Sequence, residues 1–390
     1  MKLALAAAVI ALTGAAPHAT VLGWDYGARR IAWFDARSLA SAQGAATGWN
    51  RPLCSWSFSP DRHRLALSDC HGTVRFVAVP SLKSLGRIGA SSGVWDAASL
   101  AWVTPTRLLA VNRASGSIAT LLVVDTTSKR VVRRVDLGGV LLARAVVGDR
   151  VVLLLAPFDS FGPARVVVAD AEGATTRVTI EGITAGSHFG NQPDTGPSGE
   201  VRTPGFAVDP AGTAFVVGAD LRVAAVDLST MRVSYHGPTR APAKALNGTT
   251  RIAAWLGRGK LAVSGIDYAS SGTGSDLSVS TTPFGLQLLD TATWTYRTLD
   301  PAATGLVAGG SVVLGAAPTR SSAFDAAGRH LYDIPAPRGT WVTPALGYAY
   351  VCSERWLTGV LDASTGAPVS TPMTHTRGCP TLLSGRAAVS

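Results

Sequence analysis

Beyond its first twenty residues the chain lacks any apolar run long enough to cross a membrane, any stretch with a helical period, and any basic block interleaved with aromatics. It has four cysteines in 390 residues, none in a Cys-x-x-Cys pair, and seven histidines without the close spacing of a helical zinc motif. Each shortage excludes something. A helical membrane protein and a helix bundle are ruled out, and only a metal site assembled from distant residues stays open. The net charge of +10 suggests an anionic partner, but thirty of the thirty-five basic residues are arginines. They are scattered singly or in short pairs such as Arg29 with Arg30 and Arg133 with Arg134, so no nucleic-acid partner is expected.

The first residues, MKLALAAAVIALTGAAPHAT, carry Lys2, an apolar stretch from Leu3 to Leu12 and small residues from Gly14 to Ala19. That is the layout of a secretory signal peptide. Residues 1–19 are expected to be removed, with cleavage near Ala16 or Ala19, although Pro17 suits neither site. No cysteine follows the apolar run, so a lipid anchor is not expected. Residues 20–390 then form one domain, monomeric and secreted or periplasmic, with no transmembrane segment in the mature chain.

What is present is a recurring phrase: an apolar run, an aspartate, then small polar residues. It reads IAWFDARSL, LLVVDTTSK, VVVADAEGA, VAAVDLSTM, LQLLDTATW, SSAFDAAGR and TGVLDASTG, with Asp35, Asp125, Asp170, Asp227, Asp290, Asp325 and Asp362. An eighth copy, VAVPSLKSL, has Val79 in that place. Copies at intervals of roughly 35 to 60 residues suit propeller blades. The aspartates either cap their own turns or form a polar ring, and capping accounts for all of them.

The clearest unit runs from Cys54 to Ile88: CSWSFS, turn PDRH, RLALSD, turn CHG, TVRFVAV, turn PS, LKSLGRI. It resembles a WD-repeat or TolB-like blade, with Arg62 where the family carries glycine and Cys70-His71-Gly72 where it carries Asp-Gly. The segment from Gly205 to Val233 is similar to YVTN-type propellers. The resemblance implies an all-β propeller and says little about activity. Seven full four-strand units can be counted. The N-terminal segment has lost its innermost strand, and the tail from Cys379 looks like a first strand without a blade. Eight blades closed by the C-terminal strand are expected, or seven if the short repeat around Asp325 is shared with a neighbour. Cys54 and Cys70 are centred on Arg62 in a hairpin, and Cys352 and Cys379 take equivalent positions in neighbouring blades. With an oxidising compartment, two disulfides are expected, Cys54 with Cys70 and Cys352 with Cys379.

Three long connections should emerge on one face: residues 156–164, 182–204 and 267–283. They supply the candidate ligand or partner site: Phe158, Asp159, Phe161, His188, Phe189, Asn191, Asp194, Glu200, Arg202, Asp267, Tyr268 and Asp276. No catalytic residue, metal or cofactor is expected. Ser91 in GASSG fits the nucleophile-elbow pattern, but no helix follows it. DASTG, from Asp362 to Gly366, resembles the core of the quinoprotein docking motif without that family's downstream tryptophan, and reads as a turn. Trp56, Trp102, Trp255 and Trp341 fall on first strands, where they either pack between sheets or offer a stacking platform for sugars. The functional expectation is a binding or scaffold module that engages an unknown protein or cell-envelope ligand through the long loops. The rival is a propeller-type enzyme, lactonase-like or another metal-assisted hydrolase, whose His, Asp, Asn or Glu ligands would converge at the channel.

Overall fold

The structure, a computed structural model, describes residues 20–25, 27–50, 53–69, 71–89, 99–111, 118–158, 160–187, 201–237, 248–271, 278–309, 312–336, 340–353, 357–370 and 381–386. All of its regular elements are β-strands. The first sheet combines β1 (Thr20–Asp25), β2 (Arg30–Asp35) and β3 (Ser41–Gly48) with the last strand, β34 (Thr381–Arg386). The second is β4 (Leu53–Phe58), β5 (Arg64–Asp69), β6 (Val74–Ala78) and β7 (Ser84–Ile88). The third is β8 (Ser99–Thr104), β9 (Arg107–Val111), β10 (Thr120–Asp125) and β11 (Arg130–Asp136). Then come β12 (Val140–Val147), β13 (Arg150–Ala156), β14 (Phe161–Ala169), β15 (Thr175–Ser187) and β16 (Val201–Thr203). A separate sheet follows, made of β17 (Gly205–Asp209), β18 (Thr213–Val217), β19 (Val223–Asp227) and β20 (Val233–His236). After it run β21 (Gly248–Gly257), β22 (Lys260–Ser271), β23 (Ser278–Pro283), β24 (Leu286–Asp290) and β25 (Thr295–Asp300). The last two sheets are β26 (Gly305–Gly309), β27 (Val312–Ala316), β28 (Arg320–Asp325) and β29 (His330–Pro335), then β30 (Thr340–Ala345), β31 (Tyr348–Ser353), β32 (Leu357–Asp362) and β33 (Pro368–Ser370).

Successive side chains on a strand point to opposite faces, and in a propeller each face meets a neighbouring blade. Strand β13 shows this directly. Val151, Leu153 and Leu155 join a core with Leu109, Leu121 and Val123 of the preceding sheet. Val152, Leu154 and Ala156 join a second core with Val216 and Val226 of the following one. Central strands are therefore apolar throughout, whereas outer strands are not: β11, RVVRRVD, is mostly exposed.

The structure has six separate four-stranded blades, not the eight or seven expected. The other strands are fused into one ten-stranded sheet, ordered β12-β13-β14-β15-β16-β21-β22-β24-β25 with β23 added to β22. The cause is strand length. Strands β15, β21 and β22 have 13, 10 and 12 residues and run past the blade bodies. Short β16 pairs antiparallel with β15 and parallel with β21, joining two meanders that would otherwise be separate. Strand β34 pairs antiparallel with β1. The Trp56 indole N–H donates to the Leu383 carbonyl at 3.0 Å.

The repeated aspartates are turn caps. Asp35 accepts from the amides of Arg37 and Ser38, Asp125 from Thr127 and Ser128, and Asp170 from Glu172 and Ala174. Asp227, Asp290, Asp325 and Asp362 do the same with the residues that follow them. Each turn closes on a residue in the left-handed region: Leu39, Lys129, Gly173, Met231, Trp294, Gly328 and Gly366. In the copy without aspartate, the Leu82 amide donates to Ala78 as that of Leu39 does to Asp35. The equivalent position is thus Ala78, one residue before Val79. Arg62, at the glycine position of the resembled blade, has φ +58°.

Cys54 and Cys352 are disulfide-bonded, and their expected partners, Cys70 and Cys379, lie outside the described residues. The β4–β5 register pairs Ser55 with Ser68 and breaks at Cys54, so the hairpin centres between Asp61 and Arg62 rather than on Arg62. Residues 1–19 and Ser91 also lie outside the described residues. Among the described residues no helix is long and apolar enough to cross a membrane.

Candidate functional site

Among the described residues, the three connections read as loops from the sequence are mostly strand. The extended ends of β14, β15, β16, β21, β22 and β23 form one row: Phe161 opposite Gly186, Gly186 opposite Arg202, Arg202 beside Thr249, Thr249 opposite Asp267, and Asp267 opposite Thr282. Paired residues share a face, so Phe161, Arg202 and Asp267 belong to one surface. The Arg202 guanidinium carbon lies 5.6 Å from the centre of the Phe161 ring. Tyr268 is the next residue on β22 and points to the other face. Phe158, in the β13–β14 turn, is exposed. Asp159, His188, Phe189, Asn191, Asp194, Glu200 and Asp276 lie outside the described residues.

Asp267 has a structural partner. Its Oδ1 accepts from Arg251 Nη2 at 2.6 Å, and the Arg251 side chain is 1 % exposed. The same guanidinium donates to the carbonyls of Ala219, Thr250 and Ile266 at 3.0, 3.2 and 3.2 Å and stacks 3.8 Å from the Phe284 ring centre. Sequence reasoning missed Arg251, an arginine that stands between Gly248-Thr249-Thr250 and the apolar run IAAWL. Gly186, at φ +122°, admits the close approach of β14, because a Cβ there would run into the Ser160 carbonyl oxygen.

A second feature lies at the opposite end of the same strands, where β17–β20 meets β21–β25. A groove of about 630 Å³ is lined by Phe215, Trp255, Trp294 and His236 together with Asp209, Asp227 and Arg232. Trp255 stacks on Phe215 with ring centres 5.3 Å apart and planes 12° apart. Trp294 is tilted 56° to Phe215 at 6.4 Å, and its other partner is His236, parallel at 3.7 Å. Burial holds the His236 imidazole below its ordinary pKa, and Nε2 lies 2.8 Å from Ser234 Oγ. The Tyr296 hydroxyl donates to the Leu221 carbonyl at 2.9 Å and ties the two sheets together. The sequence signal for this groove was Trp294, the fourth residue after the aspartate of LQLLDTATW. Of the four first-strand tryptophans, Trp102 packs edge-on to Phe76 and is buried, Trp255 lines the groove, and Trp341 is exposed.

Among the described residues no three His, Cys, Asp or Glu side chains are grouped so that they could hold a metal ion. No family model matches the chain, and no curated protein matches it. Solved structures do. The dihydro-heme d1 dehydrogenase NirN in complex with DHE aligns over 95% of this chain and 75% of its own, with a TM-score of 0.59 and 11% identity. Apo AztD from Citrobacter koseri aligns over 95% and 99%, with a TM-score of 0.56 and 11% identity. BamB from Moraxella catarrhalis aligns over 83% and 88%, with a TM-score of 0.49 and 13% identity. At such identities the likeness to NirN and AztD establishes the fold alone: the chain is an all-β propeller.

Proposed function

We propose that this chain is an extracytoplasmic binding or scaffold module that holds a protein partner on the extended strand ends of its ten-stranded sheet. The observation that carries the reading is β23. Among the described residues it pairs only with β22, through an unbroken six-residue register. All six of its residues are exposed. Its sequence, SVSTTP, has no charged residue and no proline before the last position. It therefore lacks the usual devices that keep a sheet edge from pairing. Such an edge is a template for an incoming extended peptide, which gains main-chain hydrogen bonds along the ladder. Phe158 and Arg202, at the same end of the sheet, offer an apolar and a cationic contact. The hydrolase reading draws no support from the described acidic and histidine residues.

The proposal takes residues 1–19 as a cleaved secretory signal and pairs Cys54 with Cys70 and Cys352 with Cys379. It takes β34 as the strand that closes the propeller. The test is site-specific photo-crosslinking in cells that make the protein naturally, with the crosslinker at Val279 of β23 and, as control, at exposed Val132 of β11. One discrete protein adduct is expected at Val279, absent at Val132 and lost when Thr281→Pro removes an amide from β23. No adduct at Val279, or the same adduct at both positions, overturns the reading.

A further inference from the structure

The groove at the far end of β21 has its own chemistry. Its floor is Phe215, 4 % exposed, and its walls are the two indoles set at different tilts to that ring. His236 covers one face of Trp294, leaving the indole a single face for a ligand. Neither the Trp255 nor the Trp294 indole N–H has a hydrogen-bond partner among the described residues, and neither is sealed from solvent. The rim is equally unspent. Asp209 uses Oδ1 on the Ala211 amide and Asp227 uses Oδ1 on its own turn, so each keeps Oδ2 without a partner there. The Arg232 guanidinium makes no ion pair among the described residues, though it shares the groove with both carboxylates.

We propose that this groove is a binding site for a neutral carbohydrate, with a pyranose ring laid against the tryptophan wall and its hydroxyls bonded by Asp209, Asp227, Arg232 and the indole N–H groups. The chemistry selects this class over its neighbours. Two carboxylates against one guanidinium disfavour a phosphate or carboxylate ligand, and a quaternary ammonium carries no group that Arg232 or the indole N–H groups could bond. A sugar presents an apolar C–H face to the aromatic wall and, at its rim, hydroxyls that both donate and accept. A smaller groove of about 400 Å³ on the other flank of β17–β20 shares Thr213 and Asp227 with the first. The two grooves open beside the same Asp227 turn, so an oligosaccharide is the ligand to test.

This site is independent of the partner edge. Thr249 and Trp255 sit on one strand six positions apart, or about 20 Å at the usual rise. The experiment titrates the mature protein with cellohexaose, maltohexaose, xylohexaose and chitohexaose, following tryptophan fluorescence and heat. Saturable binding of at least one is expected. It should weaken about tenfold, or about 1.4 kcal/mol, in Trp294→Gly, which suits the left-handed backbone there, and likewise in the surface variant Asp209→Asn. Thr281→Pro, which disables the β23 edge, should leave it unchanged. If none of the four sugars binds, or if binding survives both groove variants, the proposal is overturned whatever the outcome of the crosslinking.

Discussion

The two ends of the strands are built on different principles. At the turn end, one carboxylate, two or three amides and a left-handed residue recur in every aspartate-bearing repeat, all within five residues of chain. At the opposite end, order comes from segments far apart in sequence: β16 bridges β15 and β21, and Arg251 spans from Asp267 to the Ala219 carbonyl. The first end is a stack of self-sufficient local motifs. The second is a cooperative patch in which each part depends on the others.

The comparison breaks most sharply at Asp267→Ala. Removal of this carboxylate takes a charged partner from a guanidinium that is 1 % exposed and that also bonds the carbonyls of Ala219, Thr250 and Ile266. Loss of one member of a buried pair costs about 3–5 kcal/mol. Urea denaturation should show a fall of that size, and hydrogen exchange should show protection lost across the whole row from Phe161 to Thr282. The matching variant at the turn end, Asp362→Ala, removes hydrogen bonds that are half open to water and should cost about 1 kcal/mol, confined to its own turn. Equal costs for the two variants would mean that the ends do not differ as described.

Acid sharpens the same contrast. Hydrogen bonds from the turn hold the carboxyls of Asp227 and Asp362 below the ordinary value, first through the Ser229 and Ser364 hydroxyls. Asp125 is lowered first by the Ser128 amide, Asp325 by the Arg329 amide, and Asp290 by Lys260. A carboxyl depressed on folding contributes stability that is fully present above its unfolded pKa of about 4 and is lost as the pH falls through the folded value. His236 acts in the same direction at higher pH. Its folded pKa is depressed by burial, so protonation below about 6.5 works against the folded state. The urea midpoint should therefore decline from neutrality and drop steeply below about pH 4. After correction for intrinsic exchange rates, the amides of Ser128, Thr230 and Thr365 should lose protection before those of the cross-strand row. A flat midpoint down to pH 3 would remove the caps from any part in stability.

Much of this was legible in the sequence, for the same physical reason. An aspartate followed by serine or threonine states its own turn, so the repeat and the all-β propeller could be read from Asp35 to Asp362 without tertiary information. The glycine position of the resembled blade was also marked, and Arg62, which stands there, has φ +58°. The extended ends were not legible. GITAGS and SVSTTP have neither the alternation of a half-buried strand nor the apolar run of a buried one, and only pairing, with β14 and β16 for the first and with β22 for the second, makes them strands. The blade count went wrong at that point. Asp267 and Tyr268 seemed equivalent in the sequence, yet adjacent residues on β22 face opposite ways. The groove was hidden because Phe215, Trp255, Trp294 and His236 come from four different strands and turns.

The smallest effect tests how completely the turn end is governed locally. The residue that closes each cap has positive φ whether or not it is glycine: Leu39 at +50°, Lys129 at +55°, Met231 at +56°, and Gly366 at +71°. A side chain in the left-handed region costs about 1–2 kcal/mol relative to glycine, and part of that is returned by glycine's greater freedom in the unfolded chain. At Lys129 there is a second offset. Its side chain lies over Gly86, so close that a Cβ at Gly86 would fall 2.7 Å from Lys129 Cε, and the substitution gives up that contact. Lys129→Gly should therefore raise the stability read from urea denaturation by no more than about 1 kcal/mol. A gain means that backbone conformation governs the turn. A loss means that packing between adjacent blades reaches even the most local motif, and the turn end is less self-sufficient than its hydrogen bonds suggest.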